Sequence, residues 1–460
     1  MAGLVALGLA LRLYHYGRNP AMWHDEAHTV TNILQRNFGE LFGALSTAAT
    51  GPPLFLCLEK LVTLVLGDGT YALRLPSLLA SCVGLLVLAH VASRTLSSAG
   101  SFAAILIVAC SDRLLWHASE ARHYSTDFLI ATLLLGFLLE TKSWPARRRA
   151  WLLAALVPII IFSSYPGVFL CGGAFAALVP ELLRERRWRD GLILGAALAC
   201  SFAAFYFITV RPQHTAEMSF TWLRTFPDWQ RPWTVPGWAV RSTIGVFDYI
   251  ARPLGGLLLL PAVVGGIAAW RNQRREVAIF ALVPMLLAML AALVQSYPYT
   301  GARTMIFAMP TLVLLIGGGI DAALAWPPNH ALVRRLALFL IAVSLAAIFS
   351  LAGYRVVVVW PRAATDQASA YVLAHRAPDE PVTANHWEYE YYFRGLGSEF
   401  VPELRLLAQP APPPRVWIVV TAGNLAARDE LIAAAQPRWR ILERHDFHDT
   451  SVLLATPAHP

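Results

Sequence analysis

AGLVALGLALRLYHYGRNPAMWHDEAH, residues 2–28, is an apolar run that gives way abruptly to an acidic, imidazole-rich segment. The run from Leu4 to Tyr16 is ended by Gly17, Arg18, Asn19 and Pro20, and Met22-Trp23-His24-Asp25-Glu26-Ala27-His28 follows. Read as a membrane helix that has just emerged into water, the stretch sets two adjacent carboxylates, flanked by His24 and His28, at the membrane surface. Such a set can accept a proton, hold a divalent cation through oxygen and imidazole ligands, or do both. A solvated helix start accounts for the same residues, because Asp and Glu favour the positive end of a helix dipole. The rest of the chain has to decide.

Composition settles the class. The 460 residues are 57% hydrophobic and 14% charged, with a mean hydropathy of +0.52, whereas a soluble domain carries about a quarter charged residues. This is the composition of a polytopic membrane protein. The net charge of +8 would suggest nucleic acid if it lay in one patch, but the arginines fall in short clusters between apolar runs, where they set membrane orientation. Cys57, Cys82, Cys110, Cys171 and Cys200 lie in apolar stretches without CxxC or Cys/His spacing, so neither a disulfide framework nor a zinc site is indicated. The first run has no charged leader and no small-residue cleavage site; it reads as a retained helix, short for a span, whose start can lie upstream.

Apolar runs long enough to cross a bilayer recur along the chain, and lipid leaves only a helix to pair their backbone groups. About eleven spans are predicted. They run from Ala2 to Tyr16, Tyr71 to Ala92, Gly100 to Trp116, Tyr124 to Leu139, Trp151 to Phe162, Val168 to Leu183, Leu192 to Val210, Leu254 to Trp270, Val277 to Val294, Met305 to Trp326 and Leu332 to Leu351. The shorter run Leu54 to Leu66, interrupted by Glu59 and Lys60, reads as a helix lying in the interface. Basic clusters at Lys142 to Arg149, Arg184 to Arg189, Arg271 to Arg275 and Arg334-Arg335 alternate with less basic loops. The positive-inside rule puts these clusters in the cytoplasm. The Asp25 segment, the Glu120 turn, the loop 211–252, the turn Ser296 to Thr304 and everything after Tyr354 are then expected outside.

From Thr365 onward hydropathy falls, and runs such as Ala368 to His375 and Val416 to Val420 alternate with turns, Ala411-Pro412-Pro413-Pro414 among them. A small soluble α/β domain is predicted there. The boundaries drawn are a membrane domain at 1–355, with a first outer loop at 17–70 and a second at 211–252, and a soluble domain at 356–460. His386-Trp387-Glu388-Tyr389-Glu390-Tyr391-Tyr392 is aromatic enough to grip a sugar ring, but a half-buried strand or amphipathic helix is the favoured reading.

Two further candidates lie on the expected outer face. His117 and Glu120-Ala121-Arg122-His123-Tyr124 occupy a short turn between spans, where charges cost free energy unless paired or used. An ion pair from Glu120 to Arg122 or Arg113 that merely ends two helices is the plainer account. Arg303 opens a late span after Tyr297-Pro298-Tyr299-Thr300-Gly301-Ala302, and a lone arginine there is commonly a headgroup anchor.

The combination is more specific than its parts. Trp23-x-Asp25-Glu26-Ala27, then Gly51-Pro52-Pro53-Leu54-Phe55, then Ala72-Leu73-Arg74-Leu75-Pro76-Ser77, then Ser119-Glu120-Ala121-Arg122-x-Tyr124, and finally Gly301-Ala302-Arg303 occur in that order. The series resembles the family 39 glycosyltransferases, bacterial relatives of the protein mannosyltransferases and close in plan to the lipid A aminoarabinose transferases. The likeness covers about the first 140 residues in motif detail, the rest of the membrane part in topology, and the last part in position alone. It implies an all-α polytopic membrane protein of the GT-C fold with a small C-terminal periplasmic α/β domain, in the bacterial inner membrane with its active site facing the periplasm. It also implies sugar transfer from a polyprenyl-phosphate donor, with Asp25 as catalytic base and Glu26 and Glu120 helping to form a polar or metal-assisted site. The chain departs from the family in having His28 where Tyr or Phe is common, and Pro52-Pro53-Leu54-Phe55-Leu56 for PPLYY.

Reaction chemistry arrives at similar requirements. An acceptor hydroxyl must lose a proton as it attacks the anomeric carbon, and the departing lipid phosphate needs cationic stabilisation. Asp25 can meet the first need, with Glu26 beside it; Arg303, Arg122 or Arg74 can meet the second. Glu120, Tyr124, His117 and His28 are the expected supports, and Glu26, Glu120 and His24 the expected ligands of a divalent cation. Direct attack inverts the anomeric centre. The acceptor, a lipid, glycan or protein, is not legible, and no P-loop or GxGxxG supports a nucleotide sugar. The rival classes are a lipid-linked-glycan transporter or flippase, which usually places its charges near the midplane, and a non-catalytic subunit of envelope-glycan assembly.

Overall fold

The computed structural model describes residues 1–460 except 47–48, 216–219, 273, 328–330, 409–412, 436 and 459–460. The expected turn residues Ala411 and Pro412 lie outside the described residues. Two compact units emerge, one formed by Met1–Arg18 with Asn37–Val359, the other by Asn19–Arg36 with Trp360–Pro460. The segment 17–70, expected as one loop of the membrane domain, is therefore divided. Its residues Asn19–Arg36 fold with the C-terminal part because Met22 donates its N–H to the Tyr392 hydroxyl at 2.9 Å and the Arg362 guanidinium lies 5.3 Å over the Trp23 ring.

The first unit is helical. Among the described residues, six helices are long and apolar enough to cross a membrane, namely Thr70–Thr95, Gly167–Arg184, Trp188–Gln213, Arg275–Leu293, Arg303–Leu324 and Ala331–Val357. The pair Pro232–Ile250 and Gly255–Arg271, bent by 105°, brings the number to 7 if it forms one span. The other predicted spans correspond to shorter or more charged helices: Ala2–Arg18, Ser98–Cys110, Tyr124–Glu140 and Ala146–Ser163. Leu54 to Leu66 is a helix, Pro53–Leu66, started by a proline in the first turn where its missing N–H costs nothing.

Close helix packing follows from small residues. A Cβ at Gly265 would stand 1.8 Å from the Leu315 carbonyl oxygen, and one at Gly319 would stand 1.9 Å from that of Pro261. Only glycine lets the helices Leu259–Arg271 and Met309–Leu324 meet backbone to backbone, the usual solution in lipid, where apolar side chains gain nothing by leaving the bilayer. Arg12, fully buried, joins three helices by donating to Ser81 Oγ at 2.8 Å, to the Gly8 carbonyl at 2.9 Å and to the Val108 carbonyl at 3.0 Å. At the expected cytoplasmic end, buried Arg149 pairs with Glu181 and, at 3.1 Å, with Glu276.

The second unit carries a five-stranded sheet in the order β2-β1-β3-β5-β4, where β1 is Val382–Ala384, β2 Phe400–Pro402, β3 Val416–Thr421, β4 Trp439–Asp446 and β5 Thr450–Pro457. β1 runs parallel to β2 and β3, and the remaining pairs are antiparallel. Every residue of β3 is buried, as a central strand covered on both faces must be. Trp417, Val419, Val452 and Leu454 pack with Tyr389, Phe393 and the helix Thr365–His375 on one side, and Ile418, Val420 and Leu453 pack with Ile432 and Trp439 on the other.

Candidate active site

In the first unit the turn from Ser111 to Tyr124 is fixed from its start. Ser111 caps the helix Asp112–His117 through its Oγ, which accepts from the Leu114 N–H and donates to the Ile250 carbonyl at 2.9 Å. Glu120, with no exposed surface, accepts from the Trp116 indole N–H at 2.8 Å and from His117 Nδ1. That assigns the His117 proton to Nδ1 and leaves Nε2 to accept from the Tyr249 hydroxyl at 2.8 Å. Burial pulls the His117 pKa below its ordinary value, Glu120 opposes this, and Arg113 and Arg303 add to it. The imidazole is thus neutral and fixed in one tautomer.

Tyr124 collects the cations. The Arg122 guanidinium lies 5.5 Å from its ring centroid and donates to its hydroxyl at 3.1 Å, and the Arg303 guanidinium lies 5.8 Å from the same ring and 5.8 Å from that of Trp222. Arg122 is buried and its carbonyl accepts from Ser77 Oγ at 2.8 Å. Ser77 and fully buried Arg74 share the helix Thr70–Thr95. Among these groups His123 is held well below the ordinary imidazole range, first by burial and then by Arg122 and Arg303. Of the residues expected from sequence, Glu120, His117, Tyr124, Arg122 and Arg303 are thus brought together. Tyr249 and Trp222 join them from the expected outer loop 211–252, where a distant Tyr or Trp gave no signal in an aromatic-rich segment.

In the second unit Asp25 and Glu26 occupy the first turn of the helix His24–Gln35, where the dipole favours carboxylates. Glu26 is fully buried. His24 stacks on Trp387 at 4.6 Å with 19° between the planes, and His28 meets the same indole at 3.9 Å. Trp387 immediately precedes the helix Glu388–Tyr392, so of the strand or amphipathic helix expected for this aromatic stretch, the helix forms, over its last five residues. His24 Nδ1 and His386 Nδ1 lie 3.6 Å and 3.3 Å from Glu388 Oε2. Burial would raise the Glu388 carboxyl, but the two imidazoles that face it outweigh burial and bring it down to about 2. Among the described residues, His24, His386 and Glu388 are the one group of three His, Cys, Asp or Glu side chains close enough to share an ion. Of the expected ligands Glu26, Glu120 and His24, only His24 belongs to it.

No protein-family model and no curated protein matches the chain. Solved structures do. The chain is similar to ArnT from Cupriavidus metallidurans bound to undecaprenyl phosphate, with 15% identity over 100% of this chain and 98% of that one and a TM-score of 0.58. The apo state of that ArnT gives 16% identity, 98% of each chain and a TM-score of 0.54. The oligosaccharyltransferase of Archaeoglobus fulgidus in the apo form gives 12% identity over 87% of this chain and 64% of that one, with a TM-score of 0.50. At such identities the likeness is one of fold, and it extends over both units: the chain has the GT-C fold.

Proposed function

We propose that this protein is a membrane glycosyltransferase that moves a sugar from a polyprenyl-phosphate donor to an acceptor hydroxyl on the periplasmic side of the bacterial inner membrane. The observation that carries the reading is the pair of guanidinium groups, Arg122 and Arg303, set around Tyr124 in a chain of this fold. A solved protein of that fold was crystallised with undecaprenyl phosphate, which supports a lipid-phosphate donor.

In the proposed reaction the acceptor oxygen forms the new bond to the anomeric carbon from the side opposite the phosphate. The bond between that carbon and the phosphate oxygen breaks, and the electron pair leaves with the lipid phosphate. Asp25 takes the hydroxyl proton. Arg303 and Arg122 bind the phosphate whose charge grows as it departs, and a guanidinium suits this because it meets two oxygens at once. Arg74 is the reserve cation. Neutral His117, held by Glu120 and Tyr249, orients the turn from which Arg122 and Tyr124 project. The acceptor is a lipid, a glycan or a protein.

The test is to reconstitute the purified protein in nanodiscs with a labelled polyprenyl-phosphate sugar and follow release of the lipid phosphate. Turnover without any gradient supports transfer; binding with no release in the presence of lipid, glycan and protein acceptors rejects it in favour of a carrier or an assembly subunit.

A further inference from the structure

The cluster around Glu388 has the dimensions of a metal site. Glu388 is buried, with 5% of its side chain exposed, yet its Oε2 makes no hydrogen bond, and neither does His386 Nδ1. The separations from Glu388 Oε2, 3.3 Å to His386 Nδ1 and 3.6 Å to His24 Nδ1, are too long for charge-assisted hydrogen bonds of about 2.7–2.9 Å. They equal the ligand-to-ligand edges of a tetrahedral site, which bond lengths of about 2.0–2.2 Å place at about 3.3–3.6 Å. All three ligand atoms lie within 4.8 Å of one another.

The groups are also held in place. Trp387 lies against His24 and His28. The neighbouring Tyr389 hydroxyl bonds Thr421 Oγ1 at 2.7 Å, which ties the helix Glu388–Tyr392 to β3. Partly exposed imidazoles beside a buried carboxylate leave an approach for an ion.

We propose that His24, His386 and Glu388 bind one divalent transition-metal ion of the zinc class. Two imidazole nitrogens and one carboxylate oxygen select zinc, cobalt or nickel over magnesium and calcium, which prefer all-oxygen sets. The ion fastens the first turn of the helix His24–Gln35, and with it Asp25 in the next position, to the C-terminal domain. The site stands on this geometry and does not depend on the transfer reading.

The full-length protein, stripped with chelator, is titrated with Co2+ and the visible d–d bands are followed. One equivalent is expected to give the intense bands of a tetrahedral site and to be displaced by Zn2+ but not by millimolar Mg2+. Glu388→Gln and His386→Gln are each expected to weaken Co2+ binding at least about tenfold, whereas His375→Gln, on an exposed residue elsewhere in the unit, leaves it unchanged. The absorption edge of the Zn2+-loaded parent, which needs no variant to fold, is expected to report nitrogen and oxygen neighbours with imidazole scattering. Absence of a tetrahedral cobalt spectrum, displacement by Mg2+, a sulfur neighbour, or parental affinity in both ligand variants would each overturn the site.

Discussion

The turn around Glu120 and the cluster around Glu388 both bury a carboxylate beside histidine, and they use it in opposite ways. Glu120 accepts from Trp116 and His117, and His117 accepts in turn from Tyr249. Each proton has an assigned place, and a buried network satisfied in this way is rigid. Glu388 Oε2 instead faces two imidazoles without a hydrogen bond. The first arrangement suits a scaffold for the guanidinium groups beside Tyr124. The second, one residue away from Asp25 at His24, suits groups that exchange protons or hold an ion. The contrast predicts that substitutions near Asp25 cost turnover and that substitutions around Glu120 cost stability.

Asp25→Asn is the sharpest test. It keeps shape and removes the base, so transfer is expected to fall by about 10²–10⁴-fold, with insertion and donor binding retained. Turnover assays alongside donor-binding measurements check this. Near-parental turnover would move the role of base to Glu26 or Glu120.

Arg303→Ala comes next. A charge-assisted pair to phosphate contributes about 2–3 kcal/mol in a partly dry site, so donor affinity is expected to drop roughly 30- to 150-fold. Arg303→Lys keeps the charge, loses the fork and should fall between. Folded yield should not change, because Arg303 is only half-buried. Parental affinity in Arg303→Ala would make it a headgroup anchor and turn attention to Arg122 or Arg74.

Tyr249→Phe is expected to reverse the pattern. His117 Nε2 loses its donor while the ring stays, at a cost of about 1 kcal/mol in stability and less than tenfold in turnover. Thermal unfolding and turnover, measured together, decide. A loss of turnover as large as that of Asp25→Asn would place the Glu120 network in the chemistry and break the contrast.

Much of this was legible because hydropathy acts locally. Apolar runs marked Thr70–Thr95, Arg275–Leu293 and Ala331–Val357 within a few residues, and the short turn with Glu120 and Arg122 could only lie between helices. Helix number was harder to read. Ser98–Cys110 is apolar but short, and Ala146–Ser163 carries three consecutive arginines, Arg147 to Arg149, in its first turn, so composition alone treated unequal helices as equal. The helix Val235–Ile250 was hidden in an aromatic loop, since Trp and Tyr suit an interface in either state. The partners of His24 were out of reach for a different reason. His386 and Glu388 follow it by more than 360 residues, and only the packing of Trp387 and Tyr392 against residues 19–36 makes them neighbours.

The smallest expected effect concerns acid. His123 is buried with Arg122 and Arg303 as unfavourable neighbours, Glu120 as a weaker favourable one, and Asp127 Oδ2 at 3.8 Å; its folded pKa lies well below the ordinary 6.5. In the unfolded chain the ring takes a proton near pH 6.5, whereas the folded protein refuses it. Above that pH the two states bind the same number of protons, and His123 makes stability independent of pH. As the pH falls below about 6.5 the unfolded state binds more protons, so stability declines until the folded pKa is reached. Lowering the pH from 7.5 to 5.5 should therefore reduce the unfolding temperature of the parent. His123→Asn, which cannot titrate, should show a smaller decrease over the same interval. Twelve other histidines are common to both proteins, so the difference between the two slopes isolates this one. Equal slopes would mean that His123 takes its proton in the folded state, and the cationic surroundings of Tyr124 would then be weaker than the positions of Arg122 and Arg303 require.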